Sequence, residues 1–480
     1  MSVSEEIANK AEEQACQPRD LPRRWEEMTV AEVAEIVMGQ SPPSGYYNTE
    51  GKGLPFFQGK AEFGELYPKV VKWCSVPGKV AHKDDVLISV RAPVGPTNLA
   101  PSECCIGRGL AAIRPKPGIS QKYILYYLRS IEKDIDMLGT GTTFKAISGK
   151  ILRDIPIPVA PPNQQNHIVA EIERQFSRLD AAVANLKRIK ANLKHYRAAV
   201  LKAAVEGRLV ETEAELARRE GRSYETGEQF LQRVLETRSS RLKNKGRYKE
   251  PTAPDTTDLS KLSDGWAWAT IEDLSDLVEY GSSAKTSEDS SGIPVFRMGN
   301  ICDGELKIDN LKYLPASHHE FPRLLLKPGD LLFNRTNSPE LVGKTAVFSD
   351  CREEYSFASY LIRVRLIKGC VPAFLAMYIN SSHGRRWVRS VVTQQVGQAN
   401  VNGTKLRALV CPLPPLLEQR RIVSEADRCL SVARTIEAQI DANIACAEIL
   451  RHSILANNFS GRQSQSFARS RPRALQGRTD

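Results

Sequence analysis

The sequence has no long apolar run. No stretch approaches the roughly 18 consecutive apolar residues that a membrane-spanning helix needs, so none is predicted. The first residues, MSVSEEIANKAEEQ, are polar and acidic. They lack the basic start and the apolar stretch of a secretory signal. We therefore expect a cytoplasmic protein with no membrane partner.

The spacing that metal sites require is missing too. The ten cysteines include no CxxC pair, and the seven histidines form neither HxxxH nor HExxH. These patterns are the usual sequence signals of zinc sites and of cysteine-rich frameworks. No metal site and no disulfide framework is predicted, and we interpret the cysteines as mostly buried thiols.

Catalytic signatures are also lacking. Gly343–Thr345 reads like the end of a P-loop, but Ser338 stands where that motif needs its first glycine. Ser41–Pro43 lacks the following aromatic residue with which an amino-methyltransferase holds a flipped base. No GxGxxG turn and no GxSxG elbow is present. We expect no catalytic residue and no cofactor in this chain.

The chain does carry a clear excess of positive charge. Its 67 lysines and arginines exceed its 56 acidic residues, which gives a net charge of +11. This excess favours a polyanionic partner, nucleic acid first, although a basic solubility bias gives the same number. A length of 480 residues suits two or three globular domains.

The most informative feature is an internal repeat. An offset of 254 positions aligns Pro158–Arg208 with Pro412–Arg462 without a gap, and 14 of the 51 positions are identical. About three identities are expected by chance from average residue usage. The sequence therefore contains the same element twice.

Earlier motifs repeat in the same order at smaller offsets, so the loops between them differ in length. Trp25–Val37 is similar to Trp266–Val278, and Gly53–Phe57 is similar to Gly292–Phe296. A third pair is DDVLISVRAPVG with GDLLFNRTNSPELVG. Each half thus consists of a domain whose sequence differs between the halves, followed by a segment that is more similar between them.

The more similar segment is predicted to be one long helix in each half. Asn163–Val205 and Leu416–Asn458 each hold 43 residues without glycine or proline, enough for a helix of about 65 Å. Their apolar residues recur at alternating steps of three and four, which is typical of a coiled-coil seam. The alternative is two amphipathic helices, each buried against its own domain.

The remaining sequence indicates mixed domains. Short β-type runs such as DVLISV and YLIRVRL alternate with turns and short helical stretches, so the fold class is α/β (α+β). The predicted segments are an N-terminal extension (1–20), a first domain (21–160), a first long helix (161–208), a basic linker with a short helix (209–262), a second domain (263–414), a second long helix (415–460) and a disordered tail (461–480).

This pattern resembles the specificity (S) subunit of type I restriction-modification systems. The resemblance covers residues 20–460 and lies in the duplicated W-x3-T-[VI] and G-[LI]-P-x-F motifs and the Q-x-x-I-V-x-E start and G-R end of each helix. It implies two target recognition domains, each reading one half of a split, asymmetric double-stranded DNA target. It also implies an antiparallel coiled coil that sets the spacer.

The resemblance implies partners as well. Two methyltransferase subunits would dock on the helices, with restriction subunits joining them. S-adenosylmethionine and ATP with magnesium would belong to those partners, and this chain would be a non-catalytic subunit. A methylation-only complex and a coiled-coil scaffold without a DNA role remain alternatives.

Candidate residues follow from repeat position and side-chain chemistry, because arginine favours guanine and asparagine or glutamine favours adenine. The DNA-binding candidates are Gln58, Lys60, Arg91, Arg108, Thr143, Lys145, Lys150, Arg297, Asn300, Arg335, Asn337, Lys344, Gln398 and Asn400. The partner-binding candidates, at the start of each long helix, are Gln165, Ile168, Val169, Glu171, Gln419, Ile422, Val423 and Glu425.

Overall fold

The computed structural model describes residues 25–140, 145–243, 254–257, 259–338, 341–349, 353–395 and 398–459. Within these ranges the side chains of 241–243, 394, 395 and 398 are not described. The predicted N-terminal extension, the predicted tail and Thr143 lie outside the described residues. The chain forms two compact units, the first from residues 1–187 and 441–480 and the second from 188–440.

The first unit contains a mixed domain. Its strands are β1 (Glu26–Thr29), β2 (Ala34–Met38), β3 (Tyr47–Asn48), β4 (Leu54–Phe57), β5 (Trp73–Cys74), β6 (Val80–Ala81), β7 (Val86–Ser89), β8 (Thr97–Leu99), β9 (Cys104–Ile106), β10 (Leu110–Pro115) and β11 (Pro156–Val159). Its short helices are α1 (Val30–Val33), α2 (Gln121–Ser130), α3 (Glu132–Met137) and α4 (Gly149–Asp154). The sheet orders are β2-β10-β7-β8 and β3-β5-β4-β9-β6, with β1 paired to β11.

Between the two mixed domains, the described residues form three helices: α5 (Pro162–Val205), α6 (Glu213–Glu220) and α7 (Gly227–Lys243). The linker helix predicted from GEQFLQRVLETRSSRL is α7, but α6 was not predicted. Its signal was a capping box, since Thr212 accepts from the Glu215 N–H while the Glu215 carboxylate accepts from Thr212.

The second unit repeats the mixed architecture. Its strands are β12 (Ala267–Thr270), β13 (Ser275–Tyr280), β14 (Ile293–Phe296), β15 (Ile301–Cys302), β16 (Glu305–Leu306), β17 (Lys312–Leu314), β18 (Leu331–Asn334), β19 (Thr336–Asn337), β20 (Thr345–Val347), β21 (Ser356–Phe357), β22 (Leu361–Leu366), β23 (Thr393–Gln395), β24 (Gln398–Asn400) and β25 (Val410–Leu413). Its helices are α8 (Ile271–Leu274), α9 (Pro372–Asn380), α10 (Ser382–Val391), α11 (Gly403–Arg407) and, continuing into the first unit, α12 (Leu416–Phe459).

The two domains match strand for strand in their central sheets. The order β13-β22-β18-β20 in the second unit corresponds to β2-β10-β7-β8 in the first, and β12 pairs with β25 as β1 pairs with β11. The parallel pair of β14 and β21 corresponds to that of β4 and β9. The predicted mixed class and the repeated organisation are confirmed.

Both long helices have the bounds that the glycine- and proline-free runs predict, to within one residue. In the second unit Val200 of α5 is buried in one core with Ala426 and Cys429 of α12. In the first unit Ile172 of α5 is buried with Leu455 of α12. Each core also includes domain residues, so the helices bury their apolar faces against each other and against the domains.

The pairing of the two helices is antiparallel inside each unit. In the second unit Arg197 pairs with Glu437 at 2.7 Å, while Ala204, later in α5, is buried with Ile422, earlier in α12. In the first unit the Arg451 guanidinium lies 4.4 Å from the Phe176 ring centroid. As positions in α5 rise, their partners in α12 fall.

The repeated tryptophans anchor the starts of these helices. The Trp25 indole N–H donates to Gln164 at 3.0 Å, and the Trp266 indole N–H donates to Glu418 at 2.9 Å. Glu418 is fully buried and also accepts from the Glu213 N–H at 2.8 Å. The W-x3-T motif therefore joins each domain to the first turn of its long helix.

Candidate nucleic-acid interface

A small polar sheet brings together four predicted DNA-binding positions in the second unit. Strands β19, β24 and β23 form it in that order, and all are antiparallel. Asn337 stands opposite Ala399, and Asn400 stands opposite Thr336. Arg335 immediately precedes β19, and Gln398 begins β24. The sheet therefore groups residue types that can read base edges.

The first unit has the same arrangement in reduced form. Single bridges join Arg91 to Ala146 and Ala146 to Thr140. The Ala92 N–H also donates to the Lys145 carbonyl at 2.9 Å. The structure therefore brings the backbones of Arg91 and Lys145 together. Thr143 lies between these partners in sequence but outside the described residues.

Backbone hydrogen bonds fix which positions of the two units are equivalent. In the first unit the Val90 N–H donates to Gly109 at 2.9 Å, and the Ile147 N–H donates to Val90 at 3.0 Å. In the second unit Arg335 takes the same two bonds, donating to Tyr360 at 3.0 Å and accepting from Val401 at 2.9 Å.

This pattern corrects one sequence-based equivalence. By repeat position, Arg335 and Asn337 were chosen as the equivalents of Arg91. The hydrogen bonds show that Arg335 corresponds to Val90 and that the position equivalent to Arg91 is Thr336, which is not among the sequence-based candidates. A shift of one residue matters because neighbouring strand residues point to opposite faces.

The Arg335 side chain is held inside its own unit. Its guanidinium lies 4.8 Å from the Tyr280 ring centroid and donates to the Ser359 carbonyl at 3.2 Å. A further donor reaches Asn400 Oδ1 at 3.5 Å. In the first unit the equivalent residue, Val90, is buried in the apolar core. Arg335 thus occupies a supporting position beneath the polar sheet.

Three more predicted residues of the first unit lie on neighbouring loops. Gln58, Lys60 and Arg108 are all exposed. The Gly107 N–H donates to the Phe57 carbonyl at 2.8 Å, which places the loop of Arg108 beside that of Gln58. Glycine is required here, because a Cβ atom at 109 would lie 2.3 Å from the Gln58 carbonyl.

Two predicted lysines of the first unit differ in their surroundings. Lys145 forms an ion pair with Asp136 of α3 at 2.7 Å. That interaction holds the pKa of Asp136 below its usual range. Lys150 is exposed in the first turn of α4. Among the residues that the structure describes, Lys150 has no acidic partner in an ion pair, whereas Lys145 does.

The remaining predicted DNA-binding residues of the second unit also differ in their surroundings. Asn300 is buried, and its amide donates to the Lys307 and Asp309 carbonyls at 3.0 and 2.9 Å, so it stabilises its loop. Arg297 donates to Asn310 at 2.7 Å. Lys344 lines a cavity of about 980 Å³ within the second unit, apart from the polar sheet.

The predicted partner-binding positions are partly internal. Gln165, Val169, Gln419 and Ile422 are buried. The Gln165 amide accepts from Ser120 at 2.9 Å and donates to Ala160 at 2.7 Å. These repeated residues build the helix starts, and sequence repetition alone cannot separate that role from a docking surface. The other four, which keep exposed surface, are Ile168, Glu171, Val423 and Glu425.

Within the described ranges, no three His, Cys, Asp or Glu side chains are grouped as a metal site. None of the helices that the structure describes is long and apolar enough to cross a membrane.

Comparison with known proteins assigns both repeats to one family. The model of the type I restriction modification DNA specificity domain matches residues 22–195 and 263–445. The chain is 26% identical to the type I restriction enzyme EcoKI specificity subunit of Escherichia coli over 381 residues, covering 78% of this chain and 73% of that one.

Two further relatives match over shorter segments. The type I restriction enzyme MjaX specificity subunit of Methanocaldococcus jannaschii is 47% identical over 157 residues, which is 32% of this chain and 37% of the relative. The crystal structure of the HsdS subunit from Thermoanaerobacter tengcongensis is 44% identical, with a TM-score of 0.32, over 37% of this chain and 48% of that one. The chain thus spans less than half of each of these two proteins.

Since the family model matches well over half of the chain, in two copies, the chain belongs to the type I restriction modification DNA specificity domain family.

Proposed function

We propose that this chain is the DNA-recognition subunit of a type I restriction-modification complex and has no catalytic activity of its own. Each mixed domain reads one half of a split, asymmetric double-stranded target. The observation that carries the proposal is the family domain present twice, with a polar strand arrangement at the same place in each unit. Two related modules in one chain suit two half-sites.

The long helices supply the rest of the proposed role. They set the spacer between half-sites and dock two methyltransferase subunits, with restriction subunits joining that core. The proposed docking surface for the methyltransferase subunits is the part of each helix start that stays exposed, around Ile168 and Val423. S-adenosylmethionine belongs to the methyltransferase, and ATP with magnesium belongs to the restriction subunit.

The polar sheet carries the proposed reading of bases in the second half-site. Asn337, Gln398 and Asn400 contact base edges, and Thr336 takes the place that Arg91 holds in the first unit. Gln58, Lys60 and Arg108 extend the first surface. Lys150 supplies a phosphate contact, since most affinity for DNA comes from the backbone.

The decisive experiment maps methylated adenines in native DNA of the source cells, with the gene intact, deleted and restored. We expect one split motif with a constant spacer that is lost on deletion and regained on restoration. An unchanged methylation pattern after deletion would contradict the proposal. Restoration with an Asn337→Ala gene is the matched control, because it should relax only one half of the motif.

Two alternatives have their own outcomes. Methylation without cleavage of unmodified DNA would indicate a methylation-only complex. Absence of salt-dependent DNA binding by the chain, alone and with its methyltransferase, would favour a scaffold. Methyl transfer by the purified chain alone would contradict the non-catalytic role.

Arg335 and Asn337 are expected to behave differently. Asn337→Ala should lose about 1–3 kcal/mol of discrimination at one base pair, because it removes a base contact. Arg335→Ala should weaken binding to every sequence alike, because it loosens the support beneath the sheet. Binding to duplexes carrying single base changes in the mapped motif measures both effects. Loss of discrimination at one base pair in Arg335→Ala would instead assign Arg335 a reading role.

A further inference from the structure

Helix α10 presents a basic face that its counterpart in the first unit lacks. Arg386 and Arg389 are exposed and three positions apart, so they share one face of the helix. Gly384 and Val388 are buried and fix the opposite face against the domain. Among the described residues neither exposed arginine has an acidic partner in an ion pair.

The position of α10 ties this face to the polar sheet. The helix ends at Val391 and leads through one residue into β23, the edge strand of that sheet. Lys405 closes the junction, donating to the Val391 carbonyl at 2.6 Å and to Thr393 Oγ1 at 2.8 Å. The junction between α10 and the strands proposed to read bases is therefore held in place.

The equivalent helix of the first unit has the opposite charge. Helix α3 follows α2 as α10 follows α9, and it precedes the bridge at Thr140. It carries Glu132 and Asp134 in its first turn and has no basic residue in its last turn. Its Asp136 pairs with Lys145, so this helix neutralises a cation beside the polar strands.

We propose that the Arg386 and Arg389 face of α10 binds the phosphate backbone of duplex DNA beside the second half-site, a contact that the first unit does not make. The inference rests on the proposed function and adds to it an asymmetry in electrostatic affinity between the two half-sites. Arginine suits this role because it stays charged and donates to phosphate in a planar fork. Because the helix already fixes the backbone of both arginines, only their side chains need to be ordered when they bind.

The test is the salt dependence of DNA binding by the full chain. The probe is a random-sequence duplex of about 40 bp, titrated between about 50 and 200 mM salt. Each phosphate contact adds about 0.9 to the slope of log affinity against log salt, so two contacts make a difference of about 12-fold over that range. Raising the salt over that range should therefore weaken DNA binding by the natural chain about 12-fold more than binding by the Arg386→Gln/Arg389→Gln variant.

Two controls separate local contact from general charge. Arg188→Gln/Lys194→Gln removes the same charge from exposed positions on α5 in the same unit and should leave the slope near that of the natural chain. Arg386→Lys/Arg389→Lys keeps the charge and should retain most of the slope. Unchanged thermal unfolding verifies that each variant is folded.

The outcomes are distinct. Equal slopes for the natural chain and the α10 variant, with DNA still bound, would overturn this inference and leave the proposed function standing. An equal loss in the α5 control would also overturn it, since the effect would then be general charge. Lost co-purification of the methyltransferase without a slope change would assign the face to that protein instead. No DNA binding by the natural chain, either alone or with its methyltransferase, would overturn the proposed function itself.

Discussion

Replacing Arg363 with alanine is expected to lower the free energy of unfolding of the second unit by about 3–5 kcal/mol. Arg363 is 1% exposed and is paired with Glu279 on the neighbouring strand. It also donates to the Leu325 and Arg323 carbonyls at 2.8 and 3.0 Å. Removal leaves a partly buried carboxylate and two carbonyls without these donors, and each such loss is costly in the interior.

The first unit provides the matched comparison. Arg363 stands opposite Glu279 in the same register in which Ala112 stands opposite Val37. The Arg363→Ala/Glu279→Val double variant therefore copies a pair that the same architecture already accommodates. It should recover part of the stability that the single variant loses, because the partly buried carboxylate that lost the Arg363 donor is removed as well.

Urea unfolding of the full chain measures the loss, and hydrogen exchange of β22 peptides assigns it to the second unit. Arg323→Ala is the control, because Arg323 pairs with the same glutamate from a position that is 58% exposed. Its loss should stay within about 1 kcal/mol. Equal losses for Arg323→Ala and Arg363→Ala would contradict the importance assigned to burial.

Replacing Trp266 with phenylalanine is expected to cost about 1–3 kcal/mol near neutral pH. The substitution removes the indole N–H that Glu418 accepts at 2.9 Å and also part of a buried ring, a packing loss that the equally buried Trp25 shares. Trp25→Phe is the matched control. Its partner, Gln164, is a neutral and partly exposed amide, so that variant should lose only about 0.5–1.5 kcal/mol.

The two variants should also differ in their dependence on pH. Burial raises the pKa of Glu418 above its ordinary 4.5, against the opposing effects of its two hydrogen bonds and Arg421. A group with a raised folded-state pKa contributes most stability below its unfolded pKa and loses that contribution as pH rises. Losing a donor to the carboxylate raises this pKa further, so the cost of Trp266→Phe should grow as pH rises.

Thermal or urea unfolding at about pH 4 and about pH 8 tests this difference. The loss in Trp25→Phe should be the same at both values, because Gln164 does not titrate. A loss in Trp266→Phe that shrinks with rising pH would contradict the buried, charge-sensitive role of Glu418.

Much of the organisation could be predicted from the chain. The two long helices were found because a run of 43 residues without helix breakers and with one apolar stripe has few other structures available. The two mixed domains followed from motifs repeated in order. Helix α6 was missed, since eight residues between polar segments give little periodicity and its Thr212–Glu215 capping box was overlooked.

The candidate site was less accessible to prediction. The positions around β19 and β24 were found because both repeats place polar residues there, but their register was wrong by one residue. The repeated motif itself aligns Val90 with Arg335 and Arg91 with Thr336. The error arose because arginines were matched by residue type and not by position. The hydrogen bonds of Val90 and Arg335 agree with the positional alignment.

By itself the sequence determined the duplication, the long helices and the type of polar residue at the candidate surface, because these depend on local spacing and composition. Only the tertiary structure decided which of those residues are internal. Gln165 and Gln419 are buried at helix starts, Arg335 lies against Tyr280, and Arg386 and Arg389 remain exposed on α10. Burial depends on what the rest of the chain packs against each side chain. It cannot be predicted from the residue type at an equivalent position of the repeat.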